Sequence, residues 1–221
     1  MAYDKLRFES YARMGGDESF RLIAEKNIER FNVLNPDVER LKGDISRILG
    51  DAENSGNPPS EYYDVLYRLG PLEDEMDECC YIACVFTAMY FEAFIYDYAA
   101  SCLGDQYVKD HIDKMDFMSK WLVVPRLIVG KQIDKEKRAY MALKQIHKDR
   151  NALVHLKSRD ISLNSLNSDE MADSLLNREK WLHKAIENCK MALKVVVEEL
   201  YEIDPTHQKL LLLFEGTAIR N

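Results

Sequence analysis

The chain has no Cys-x-x-Cys pair, no His-Glu-x-x-His, no glycine-rich phosphate loop and no nucleophile elbow. The short motifs of zinc sites, metalloproteases, nucleotide hydrolysis and α/β-hydrolases are therefore missing, and no cofactor or metal is expected. Cysteine is scarce and odd in number: Cys79, Cys80, Cys84, Cys102 and Cys189 lie mostly on apolar stretches and suit core thiols of a reducing compartment. The first residues include Asp4, Glu9 and Asp17 and no apolar run, unlike a signal peptide, so the cytoplasm is expected. Long hydrophobic runs are also lacking. Cys79 to Phe91 is interrupted only by Thr87, but Glu92 ends it after thirteen residues, and a membrane span needs about 20. No membrane is expected. A net charge of -8 argues against wholesale coating of nucleic acid.

What is present reads as helix. Phe20, Ile23, Ala24, Ile28 and Phe31 recur at helical spacing after Asp17 and Ser19, either of which could cap. Asn35-Pro36 is expected to break that helix and Pro36 to open a second, with Val38, Leu41, Ile45, Ile48 and Leu49 on its apolar side and Gly50 at its end. The pair reads as a hairpin whose apolar stripe must cover the main body or another protein. Residues 51–60, rich in Asn, Ser, Gly and Pro, form the most linker-like segment. A short helix over residues 61–69 is expected to stop at Gly70-Pro71, followed by a central core helix that ends at Gly104. Residues 115–128 predict a packing helix bent by Pro125, and Asp134 is a candidate cap for the next helix. A last long helix spans about 169–201 and stops at Asp204-Pro205, before the apolar tail 210–214. The expected organisation is a 1–55 arm and hairpin, a 60–201 helical body and a 202–221 tail.

The stretch that organises the rest is 144–157, Lys-Gln-Ile-His-Lys-Asp-Arg-Asn-Ala-Leu-Val-His-Leu-Lys. As a helix it places Leu143, Ile146, Arg150 and Leu153 on one apolar seam, so Arg150 is expected where a core residue should be and needs a partner. Glu92, flanked by Phe91, Ala93, Phe94 and Ile95, is the other costly charge, and a Glu92–Arg150 contact is expected. His147, Asn151 and His155 repeat every four residues along a neighbouring stripe. Between Lys137 and Arg159 there are seven Lys or Arg and one acidic residue. That excess is either a solvated face or a local field that steers a phosphodiester.

Arg150, Asn151 and His155, as Arg-Asn-x-x-x-His near the end of a helix in an all-helical chain, resemble the signature of the HEPN superfamily (higher eukaryotes and prokaryotes nucleotide-binding domains). The resemblance covers roughly residues 60–201. It implies an all-α antiparallel helical bundle of HEPN type, here with an additional N-terminal helical hairpin. It also implies a metal-independent endoribonuclease acting by 2'-hydroxyl attack, of the kind found among toxins and defence effectors. Positions five apart on an ideal helix point about 140° away from each other, so Arg150 and His155 could meet through arginine's reach, a loosened last turn, or a second copy across a two-fold axis. The resemblance favours the homodimer.

In this reading His155 transfers the proton, Arg150 stabilises charge on phosphorus and Asn151 orients. His147, Lys148 and Glu92 would support the site, and Lys144, Lys157 and Arg159 would hold RNA. The polar segment 158–168 would lie near the site and touch substrate. Expected partners are RNA, a second copy and an antitoxin or other protein. The alternative is a catalytically inactive HEPN-like interaction or regulatory module.

Overall fold

The structure, a computed structural model, describes residues 16–51, 57–154, 168–207 and 210, with side chains of the last helix described from 176 onward. The described residues are all-helical: α1 (Asp17–Asp51), α2 (Ser60–Leu103), α3 (Asp105–Tyr107) continuing into a π-helical turn (Val108–Ile112), α4 (Phe117–Val129), α5 (Arg138–Val154) and α6 (Ser168–Ile203).

Two expected breaks are absent. Asp17–Asp51 is a single 35-residue helix with Pro36 inside it, not a hairpin. Likewise, Gly70 and Pro71 lie inside the 44-residue α2. An interior proline costs about 3 kcal/mol through its missing N–H and its clash with the preceding turn. Here the apolar stripe runs through without a change of phase. Ala24, Ile28, Phe31, Leu34, Val38, Leu41 and Ile48 are buried on α1, and Val65, Leu69, Met76, Cys79 and Cys80 are buried across the Gly70-Pro71 step. Each fully buried large side chain contributes about 1.5–3 kcal/mol, so a few of them outweigh one proline. Breaking the helix would turn half of each stripe away from its partner.

These stripes face one another. Phe20 meets Phe86 with ring centroids 5.8 Å apart, Arg30 Nε reaches Glu75 at 2.6 Å, and Arg47 lies 4.0 Å from Glu61. The pairing steps forward on α1 as it steps back on α2, so the two helices are antiparallel. The stripe of α1 therefore covers α2. Between α2 and α6 the pairs advance together, from Cys80 Sγ donating to the Leu182 carbonyl at 3.6 Å to Tyr98 Oη donating to Asp204 Oδ2 at 3.0 Å, and these two run parallel. α6 in turn runs antiparallel to α5, with Asp149 opposite Asn188 and Lys137 opposite Glu202.

The heart of the core is aromatic. Trp121 of α4 stacks on Phe94, with centroids 6.3 Å apart and planes 5° apart, and sets its edge against Phe91. By length and composition α2 could cross a membrane, which counting the thirteen-residue run did not indicate, because the helix continues past Glu92; 56% of that stretch is buried inside the protein. All five cysteines are free, and four of them are buried. Cys84 and Cys189 bring their sulfurs to 3.8 Å between α2 and α6. The Cys189 thiol is pushed well above its ordinary range by its contact with Cys84 and by burial, as suits an inert packing group.

Asp116 caps α4, accepting from the Ser119 amide at 3.0 Å. At the other end Gly130 takes the left-handed conformation, φ 74°, that lets its amide reach the Arg126 carbonyl. Asp134 does not cap α5. It shapes the turn before it, accepting from the Glu136 amide at 2.9 Å, while its own amide is held by Glu199. Asp204 ends α6 and ties the chain back to Tyr98 and Thr206. Leu210 is buried, and the rest of the apolar tail lies outside the described residues.

Candidate active site

α5 buries Ala139, Ala142, Leu143 and Ile146. From Ile146, a step of three leads to Asp149 and a step of four to Arg150, and the structure takes the first. Asp149 is 3% exposed, whereas Arg150 is half-buried at the edge. The expectation that Arg150 occupies the core seam is thus corrected, and the facing helix supplies the reason. Asn188 of α6, itself 4% exposed, donates from Nδ2 to Asp149 Oδ2 at 3.0 Å, and Gln145 Nε2 donates to Oδ1 at 2.8 Å. Two amide donors solvate a buried carboxylate. An arginine there would face a donor it could not accept from.

Placed at the rim, Arg150 donates from Nη1 to Asn151 Oδ1 at 3.0 Å. Asn151 Nδ2 lies 3.0 Å from His147 Nε2. Because a guanidinium can only donate, the oxygen of Asn151 must face Arg150 and its nitrogen must face His147. His147 Nε2 is therefore the acceptor, and in the neutral ring the proton sits on Nδ1. Phe117, the first residue of α4, stacks flat on the imidazole, with centroids 5.2 Å apart and planes 5° apart. The result is a polar chain Arg150–Asn151–His147 with a fixed direction of hydrogen bonding, anchored at one end by an aromatic ring.

The expected supporting residues are placed unevenly. Lys144 and Lys148 are exposed one turn apart on α5, and neither forms an ion pair among the described residues. His155, Lys157 and Arg159, and the polar segment after them, lie outside the described residues. Glu92 does not meet Arg150. Its carboxylate, 56% exposed, lies 3.4 Å from Lys120 Nζ, a buried ammonium that also has Asp113 at 3.6 Å. Glu92 emerges on the surface of α2 because Phe91, Phe94 and Ile95 take the buried positions around it.

Sequence reasoning missed Asp149, Gln145 and Asn188, and also a largely apolar cleft of about 290 Å³ lined by Tyr81, Ala152, Leu153, Arg178 and Trp181. It opens beside the last turn of α5, so its wall includes two residues that follow Asn151 directly. Arg178 is held there by Asp77 and by Tyr81 Oη at 3.2 Å. Tyr81 and Trp181 lie 6.4 Å apart, tilted by 45°. The Arg-x-x-Trp spacing of α6 was the available signal for the cleft, but it does not name Tyr81 and Asp77, its partners on α2. No protein family, curated protein or solved structure matches this chain.

Proposed function

We propose that this chain is a metal-independent endoribonuclease of HEPN type, cytoplasmic, with a composite site at a homodimer interface. The observation that carries the reading is Arg150. It is half-exposed, directed by Asn151 and, among the described residues, paired with no carboxylate. A cation held in place but not neutralised keeps its remaining N–H donors for a phosphate.

RNA brings its own nucleophile, so the site must move protons and hold the extra charge on phosphorus. Arg150 serves the second need. His155 is assigned the first, and Asn151 and His147 keep the guanidinium oriented. Lys144 and Lys148 add positive field on the same helix. The neighbouring cleft, with Tyr81 and Trp181 as apolar walls, suits an unpaired base, which favours single-stranded RNA. Toxin or defence roles follow from the resemblance, as does an antitoxin partner.

Cleavage of single-stranded RNA in EDTA by wild type, Arg150→Ala and His155→Ala tests the proposal, with folding followed by circular dichroism. Wild-type cleavage leaving a 2',3'-cyclic phosphate is expected. Each folded variant should lose about 10²–10³-fold or more, the scale for removing a transition-state donor or a general base. Cleavage unchanged in Arg150→Ala would refute the assignment. The alternative, a catalytically inactive interaction module, is favoured by one observation: Tyr63, Leu66 and Tyr67 are exposed in the first turns of α2, Tyr67 to 85%. An inert wild type would move that reading ahead.

A further inference from the structure

Away from the α5 end, α1 and α6 bring three potential metal ligands together. Glu179 and His183 are one turn apart on α6, and Glu39 faces them from α1, with one ligand atom from each lying within 4.8 Å of the others. Phe31 meets the His183 ring edge to face, centroids 5.2 Å apart, which orients the imidazole. Lys42 lies between Glu179 at 3.0 Å and Glu73 at 3.1 Å. Glu39 forms no ion pair among the described residues. Lys42 is thus shared by two carboxylates while Glu39 brings a third, so three carboxylates and one ammonium leave the group two negative charges in excess. Asn188, which faces α5, is five residues from His183, about 140° around the helix. This cluster is on a different side of α6 from the candidate active site.

We infer that Glu39, Glu179 and His183 form a binding site for a divalent transition cation of the zinc class, joining α1 to α6. One imidazole nitrogen and two carboxylate oxygens are the borderline donor set such ions take, with water completing the shell. Tetrahedral coordination at zinc's bond lengths of about 2.0–2.2 Å brings ligand atoms to roughly 3.3 Å. The three side chains need close by no more than about 1.5 Å, which the exposed Glu39 can do by torsion. A 2+ ion matches the local charge, and Lys42 keeps Glu73 when the ion takes Glu179. The site is independent of RNA cleavage.

The test uses the untagged full chain, stripped with EDTA and dialysed, titrated with Zn²⁺ by calorimetry and melted with and without it. Wild type should bind one ion per chain, and its Tm should rise with zinc concentration by mass action. Glu39→Gln and His183→Gln, folded by circular dichroism, should each bind at least about tenfold more weakly. The exposed Glu39 keeps the test clear of folding defects. No saturable uptake, or equal affinity in wild type and both variants, would overturn the inference.

Discussion

The contact of α1 with α2 and that of α5 with α6 are both built from stripes at the same helical spacing, yet their interiors differ. Between α1 and α2 the seam is hydrocarbon, from Ile28 and Phe31 to Leu41 and Ile48, and charge is kept to its edges, as in Arg30–Glu75. Between α5 and α6 the apolar seam gives way, in the last turn before the motif, to Asp149 and Asn188. The first seam is held by packing alone, without a directional partner, because hydrophobic attraction has no direction. The second fixes the rotation of α5, since a buried carboxylate is satisfied in one register only. That rotation decides that Arg150 points outward.

The largest stability effect is expected in the hydrocarbon seam. Phe31→Ala should cost about 3–5 kcal/mol, read as a fall in the denaturation midpoint, with little change at the Arg150 end of α5. Next comes the polar contact. Asp149→Ala should cost about 1–3 kcal/mol by stranding the Asn188 amide, and the double variant Asp149→Leu with Asn188→Leu should recover much of it, because the buried donor is removed with its acceptor and the partly exposed Gln145 amide can turn to water. Stability recovered without RNA cleavage would separate placement from folding; cleavage retained in the double variant would break the comparison.

Pro36→Ala sharpens the other side. In an uninterrupted α1 it should stabilise by up to about 3 kcal/mol, and a lower Tm would mean that the chain turns at Pro36 after all. The smallest effect belongs to the exposed edge. Hydrogen bonding to Arg30 holds the Glu75 carboxyl below its usual range. Its contribution is therefore present above the unfolded carboxylate range and is lost as pH falls through the lowered folded value. Glu75→Gln should flatten the acid limb of the stability curve slightly, and less so in high salt.

Most of the helical content could be read from spacing, including the central core helix and the approximate limits of α4 and α6. The errors fell at prolines, where a local rule was set against a stripe whose phase never changed: 24, 28, 31, 34, 38, 41 and 48 step by three, four or seven residues across Pro36. The stripe outweighs the local rule, because tertiary burial along a whole helix exceeds the cost of one missing hydrogen bond. The candidate site was legible in part. His147 and Asn151 were placed one turn apart and are hydrogen-bonded. Glu92 was misassigned because its neighbours in sequence are apolar while its own direction on α2 is outward, toward Lys120.

The amino-acid order by itself determined an all-helical chain, the apolar stripes of its long helices and the placing of His147 and Asn151 one turn apart on one helix face, because these depend on contacts within a turn or on periodicity. Only the tertiary structure decided which of Asp149 and Arg150 is buried, what neutralises Glu92, and that Glu39 of α1 stands beside Glu179 and His183 of α6. Each of those outcomes depends on a partner far away in the chain, and helical spacing sets the direction of a side chain without naming what it meets.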